Sequence, residues 1–274
     1  MKTIRLLYPD YVSGGLDTYY FGANLLAHIL PENKNQPLIK VDIAQPNSAN
    51  KIITDGIYAK GEVLSGIQNA MAKIEKENPD KIITIGGNCL VSLAPFDYLH
   101  GKYKNTGIVW IDAHPDINLP YDEYKGYHAM ALTACLGMGD EETLQLLPGK
   151  FKVSNTLIVG LRSWDEGMKE RQKNLGIKGL SPEEVAKDSS SILKWLKGTG
   201  ASKVVVHFDM DVIDPADMIA GVGVEPNGMK IDEVVRVINN IASKYDLVGL
   251  TVAEPMPRIA IKLRNMLDRL PLLK

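Results

Sequence analysis

Trp110-Ile111-Asp112-Ala113-His114-Pro115-Asp116 is the stretch on which the fold turns. It closes the run Gly107–Ile111, which is continuously apolar, as expected of a strand covered on both faces of a parallel sheet. Asp112, His114 and Asp116 therefore stand at the carboxyl end of a buried strand, and a spacing of two in extended chain sends them to one side. A second segment repeats the pattern: Val204-Val205-Val206-His207-Phe208-Asp209-Met210-Asp211, with Asp214-Pro215 soon after. Asp209 and Asp211 again share one side, whereas Asp214-Pro215 reads as a turn.

Outward from these two segments, the same alternation runs along the chain. Candidate strands are Thr3–Leu7, Leu38–Ile43, Lys81–Ile85, Gly107–Ile111, Thr156–Gly160, Lys203–Phe208 and Leu247–Val252, with a weak one near Ile177. Between them lie amphipathic stretches. Gly61–Glu77 is one, Asp232–Tyr245 another, and a terminal helix is expected from about Arg258. Ser181–Lys197 opens with Ser181-Pro182-Glu183-Glu184, a capping box with proline at the first helical position. Strands alternating with helices mean a parallel sheet, open or closed into a barrel, and periodicity does not choose between the two. No linker or repeat divides the chain, so residues 1–274 are expected to form one domain.

Composition excludes several classes of function. Among 274 residues, 31 Lys+Arg meet 33 Asp+Glu, a net charge of -2 that offers no basic footprint for nucleic acid or an anionic membrane. No apolar run approaches a membrane span, and Met1–Asp10 is too poor in apolar residues for a signal peptide. Cys89 and Cys135 cannot build a disulfide framework, so a cytoplasmic protein is expected. In open parallel sheets, sites gather beyond the carboxyl ends of strands. Unpaired carboxylates beside a core cost roughly several kcal/mol unless a cation compensates them. Four aspartates and one imidazole balance two divalent charges, and an oxygen-rich set of this kind suits Mn²⁺ or a similar ion.

Taken together, Asp112-Ala113-His114-Pro115-Asp116 and Asp209-Met210-Asp211-Val212-Ile213-Asp214-Pro215 resemble the ureohydrolase signature of arginases, agmatinases and formimidoylglutamases. The likeness runs from about Ile82 to Pro255. It implies a three-layer α/β/α fold around a parallel, roughly eight-stranded sheet, two metal ions (Mn²⁺ foremost), and hydrolysis of a guanidino-type C–N bond. By position, Asp112 and Asp209 resemble the carboxylates that touch both ions, Asp116 a ligand of one, and His114 and Asp211 ligands of the other. The position of Asp116 also handles the proton that passes to the leaving amine. Glu254, in Thr251-Val252-Ala253-Glu254, matches the acid that grips the guanidinium, and His128 matches the proton-shuttle histidine of arginases. Asn118 and Asp165 correspond to residues that hold the α-carboxylate and α-ammonium, which favours an amino-acid substrate over agmatine. On the residues alone, Asn118 reads equally as an Asx turn and Asp165 as a helix cap.

The chain also departs from that signature. Where the family has Gly-Gly-Asp-His-Ser, this sequence has Gly86-Gly87-Asn88-Cys89-Leu90, so Cys89 takes a metal-ligand position. Cys89-Leu90-Val91-Ser92-Leu93 resembles the branch that hydrolyses N-hydroxyarginine to ornithine and hydroxyurea. Ala220-Gly221-Val222-Gly223-Val224 lacks a hydroxyl that helps hold guanidinium, and a serine at the α-carboxylate is replaced near Tyr124. The expected activity is hydrolysis of arginine or N-hydroxyarginine, a small guanidino partner, by a monomer or homo-oligomer. Two other readings stay open: an amidinohydrolase for agmatine or a guanidinoacid, and a metal-poor protein that binds without catalysis.

Overall fold

Eight parallel strands form one sheet in the order β2-β1-β5-β10-β9-β6-β7-β8. They are β1 (Thr3–Tyr8), β2 (Leu38–Lys40), β5 (Lys81–Gly86), β6 (Thr106–Ile111), β7 (Thr156–Val159), β8 (Lys178–Leu180), β9 (Lys203–Asp209) and β10 (Asp246–Ala253). A separate antiparallel hairpin pairs β3 (Ile53–Thr54) with β4 (Ile57–Tyr58). The coordinates come from a computed structural model and describe residues 1–46, 52–257 and 266–271. The terminal helix expected from about Arg258 begins outside those residues.

The open sheet answers the choice between sheet and barrel. Alternate residues of each strand feed two different cores, as a period of two requires. Val109 and Ile111 of β6 pack with Val204, Val206 and Phe208 of β9 on one face. Helices α1 (Asp17–Ile29), α7 (Pro182–Ala186), α8 (Ser190–Thr199) and α9 (Ile231–Lys244) cover that face through Leu26, Val185, Ile192 and Ile238. Ile108, Trp110 and Val205 point to the other face. There α2 (Lys60–Glu77), α3 (Leu93–Tyr103) and α4 (Ala131–Cys135) supply Ile67, Ile74, Phe96, Leu99 and Leu132. Two further helices, α5 (Glu141–Leu146) and α6 (Glu166–Leu175), complete the described set. The expected α/β/α layering is thus present.

Two element boundaries differ from expectation for physical reasons. The stretch Ser181–Lys197 is two helices, α7 and α8, because Asp188 accepts the Ser190 N–H at 2.8 Å and starts a new helix. The strand expected to reach Ile43 stops at Lys40, where its register partner Leu7 is one residue short of the end of β1. Among the described residues, no helix is long and apolar enough to cross a membrane.

The order of strands matters for function. The chain passes from β5 to β6 by leaving a gap that β9 and β10 later fill, so the carboxyl ends of β5, β10, β9 and β6 are neighbours. All the acidic strand ends read from the sequence lie on these central strands.

Candidate functional site

Each central strand ends in a turn that aims a polar side chain at one point. After β5, Gly87 lies so close to Asp10 that a Cβ would sit 1.8 Å from the Asp10 carbonyl oxygen, so glycine is required there. The Asn88 amide donates to Asp10 Oδ2 at 2.8 Å, while its Oδ1 accepts from the Leu90 N–H at 3.2 Å. This starts a short 3₁₀ turn, Cys89–Ser92, with the buried Cys89 at its head. After β6, Asp112 accepts the Trp110 indole N–H at 3.0 Å and the His114 N–H at 2.6 Å. The chain then bends, and Asp116 adopts a φ of 48°. Convergence of Asp112, His114 and Asp116 therefore comes from a turn beyond the strand and not from extended alternation.

After β9, Asp209 accepts the Asp211 N–H at 2.8 Å and opens the turn Met210–Val212. Asp211 accepts the Ala113 N–H at 3.2 Å, which ties the β9 end to the β6 end. After β10, Glu254 has a φ of 57°, unusual for a residue of its size, and its N–H donates to the Gly87 carbonyl at 2.9 Å. Gly223, in the loop between β9 and α9, lets that loop pack against Asp211, since a Cβ there would lie 2.8 Å from Asp211 Oδ2.

The result is a set of buried acids with little cationic compensation: Asp112, Asp116, Asp209, Asp211 and Glu254. Ligand-type atoms of Cys89, Asp112, Asp116 and His207 all lie within 4.8 Å of one another, as do those of Asp112, His114 and Asp211, and those of Cys89, Asp209 and Glu254. Cys89 Sγ is 2.9 Å from Asp209 Oδ2, and His114 Nδ1 is 2.9 Å from Asp211 Oδ2. Burial and then the Asp211 charge push Asp112 up to about 6. Burial, assisted by neighbouring acids, raises Asp116 and Asp209 well above the carboxylate range and Glu254 to about 8. Burial opposes the charge on His114, but Asp112 and Asp211 overcome it and push the imidazole up to about 12. Burial also resists ionisation of Asp211, yet the His114 cation holds it low. Cys89 is raised by burial and by Asp116, Asp209 and Glu254, so its thiol ionises only when a cation joins the set.

These residues fit divalent cations. Asp116 Oδ2 and His207 Nε2 are buried without a hydrogen-bond partner, and His114 Nδ1 sits 3.5 Å from Asp112 Oδ1 and 2.9 Å from Asp211 Oδ2, a spacing at which one ion could be shared.

Above the acids lies a cavity of about 790 Å³ lined by, among others, Asn118, His128, Asp165, Tyr19, Tyr124 and Arg171. Asn118 is buried, and its Oδ1 has no partner, so it does not spend its side chain on an Asx turn. Asp165 does cap α6, accepting the Met168 N–H at 2.6 Å through Oδ1, and at the same time lines the cavity. His128 Nε2 meets the Tyr124 hydroxyl at 3.2 Å, and its Nδ1 is buried and unpartnered. Burial and the nearby His114 charge push its pKa down to about 4, further from neutrality than a shuttle histidine requires in isolation. It is neutral at pH 7.

Several lining residues were not singled out from sequence. Tyr19, on α1, donates its hydroxyl to Glu254 Oε2 at 3.3 Å across 235 residues of chain, which no local pattern signals. Arg171 lines the cavity while pairing with both oxygens of Asp122. His207 could have been noticed as an imidazole inside an otherwise apolar strand. Cys135 is a buried thiol near Leu147 and Phe151, away from the acids.

A family model described as "Arginase family" matches residues 31–266. The arginase of Saccharomyces cerevisiae is 25% identical over 241 residues, 81% of this chain and 72% of that protein. The arginase of Staphylococcus aureus (strain MRSA252) is 27% identical over 147 residues, and the chain spans about half of it, 49%, with 52% of its own length. The fold matches that of Entamoeba histolytica arginase in complex with L-ornithine with a TM-score of 0.83 at 20% identity, covering 97% of this chain and 95% of that one.

Proposed function

The chain belongs to the arginase family of hydrolases, and from that premise we propose that it cleaves a guanidino-type C–N bond in an arginine-like amino acid. The substrate is arginine or N-hydroxyarginine, giving ornithine with urea or hydroxyurea. The observation that carries this reading is the convergence of Asp112, Asp116, Asp209, Asp211 and Glu254 with Cys89 and His114 beneath one cavity. Residues 1–274 act as one catalytic domain. Cys89 and Asp116 would hold one ion, His114 and Asp211 the other, with Asp112 and Asp209 shared between them. Two divalent cations, Mn²⁺ in this proposal, supply Lewis acidity that makes water nucleophilic near neutral pH.

The chain's own groups do the rest. Glu254 sets a negative charge against the guanidinium, and the Tyr19 hydroxyl fixes its carboxylate in place. Asp116 has a free Oδ2 positioned to hold the proton that must reach the leaving amine. His128, kept neutral, takes up a proton on the cavity side, with Tyr124 orienting its ring. Asn118 and the second oxygen of Asp165 hold the α-carboxylate and α-ammonium at the far side of the cavity. Cys89 favours the N-hydroxy substrate of the pair, because a thiolate makes the centre a weaker Lewis acid and an N-hydroxyguanidine is a less basic, less demanding group.

The test is a urea and hydroxyurea product assay over arginine, N-hydroxyarginine, agmatine and guanidinoacids with Mn²⁺ present. Hydroxyurea formed from N-hydroxyarginine at the highest kcat/KM is the expected result. Preference for agmatine would remove the α-group assignment of Asn118 and Asp165. No product from any of them, with no metal retained, would leave a protein that only binds.

A further inference from the structure

On the metal-dependent reading above, we propose that His207 is a nitrogen ligand of the cation position faced by Cys89, Asp112 and Asp116. His207 lies two residues before the end of β9, wholly buried, in register with Trp110 of β6. The two rings stack at 3.7 Å with planes 13° apart, so the imidazole has one orientation. Its Nδ1 lies 2.8 Å from Ser92 Oγ. Ser92 closes the same 3₁₀ turn that Cys89 opens, so one short segment positions both side chains.

The other ring nitrogen is the informative atom. Nε2 is fully buried and has no hydrogen-bond partner, and leaving such an atom unpaired is costly. Its nearest acid oxygen, Asp112 Oδ2, is 3.9 Å away, too far for a hydrogen bond. A proton on Nδ1 donated to Ser92 leaves a bare lone pair on Nε2, facing Asp112, Asp116 and Cys89. Lone pairs do not gather around an empty point without a cation to share. The 3.9 Å between Nε2 and Asp112 Oδ2 agrees with this, since two ligand atoms each about 2.1 Å from one ion stand about 3–4 Å apart.

A site of sulfur, nitrogen and carboxylate is chemically unlike its neighbour at Asp112, His114 and Asp211, which offers oxygen and one imidazole. The Cys89–His207 position therefore suits Zn²⁺, Co²⁺ or Fe²⁺ better than a purely hard set would.

The decisive measurement uses the full chain, chelated and reloaded with ¹¹³Cd²⁺, with ¹⁵N-labelled histidine. Scalar coupling of ¹¹³Cd to two histidines is expected, one of them His207 Nε2, identified by its NOEs to Trp110. In His207→Ser, that coupling disappears and one cadmium binds about tenfold or more weaker by calorimetry, while the other stays within twofold. Two bound cadmium ions with no coupling to His207 would overturn the proposal and leave the metal-dependent reading standing. A folded His207→Ser that keeps both affinities within twofold would overturn it too. If the wild-type chain holds no divalent ion at all, the proposal and that reading fall together. Should His207→Ser fail to fold, the wild-type coupling still decides.

Discussion

Loading the chelated protein with metal should expel protons, and their number can be worked from the site. His114, pushed up to about 12 by Asp112 and Asp211, is protonated at pH 7.5. Cys89, raised by burial and by the four acids Asp116, Asp209, Glu254 and Asp112, is a thiol. Both must lose a proton to become ligands, so about two protons leave per fully loaded site as a floor. Asp116, Asp209 and Glu254, also raised, add to that count, and their protons belong to the cluster and not to single residues. The sign follows directly: protons compete with metal, so acid weakens binding. Each proton released makes the overall binding constant change about tenfold per pH unit, hence about a hundredfold or more per unit around neutrality. Isothermal titration in buffers of different ionisation enthalpy reads the proton count as a slope, and the pH series reads it independently. Cys89→Ala should lower the count by about one. Tight binding of two ions with proton release near zero would refute the charge states assigned to His114 and Cys89.

Three further outcomes follow from the same geometry. Asp209→Asn should cut bound metal to below one ion per chain by elemental analysis and abolish turnover; a variant with two ions and near-normal rate contradicts its shared position. Asp165→Ala should raise KM for an α-amino acid substrate about tenfold or more with kcat little changed, and lower Tm because a helix cap worth about 1 kcal/mol is lost; an equal KM rise on agmatine would mean the cap is its whole role. The chelated fold should lose stability as pH rises from about 4.5 toward 8, since Glu254 and its neighbours bind protons more tightly folded than unfolded; metal should flatten the curve, and a chelated protein equally stable to denaturant at pH 5 and pH 8 would refute the raised values.

How much of this was legible beforehand depends on the range of the interaction. The six inner strands showed themselves because continuous apolar runs such as Val204–Val206 suit burial on both faces, whereas the edge strands β2 and β8 are short and partly exposed, and the acids ending β6 and β9 announced a site. Cys89 was visible only by its place after two glycines. The break between α7 and α8 was hidden because the pattern of apolar residues continues across Asp188, whose local hydrogen bond wins over periodicity. The sheet order, which brings β10 between β5 and β9, has no local signature. Tyr19 on Glu254 and His207 beside Asp112 follow from that order, so they could not be read until the strands were placed. A histidine in an apolar strand reads as core, and His207 does sit in the core; only its unpartnered Nε2 marks it as something more.

Charge counting shows why Cys89 matters more than its size suggests. Two divalent ions bring four positive charges, and Asp112, Asp116, Asp209 and Asp211 balance them. An imidazole at Cys89 would leave that balance untouched, and so does His207, which is neutral as a ligand. The Cys89 thiolate adds one negative charge, and Glu254 another within the same buried volume. With the proposed ions bound, such a centre would attract cationic substrates strongly but polarise them weakly, because each ion's charge is already spent on its ligands. On the proposed reading it would therefore suit a guanidine derivative whose C–N bond needs less activation better than one that needs more. Cys89→His tests this balance with its sign fixed: the ratio of kcat/KM for arginine to that for N-hydroxyarginine should rise about tenfold or more, and the lower pH limb of kcat/KM should move to lower pH. A ratio unchanged within twofold, in a variant that still binds two ions, would mean that the thiolate does not set the Lewis acidity of the site and that substrate choice is made in the cavity around Asn118 and Asp165.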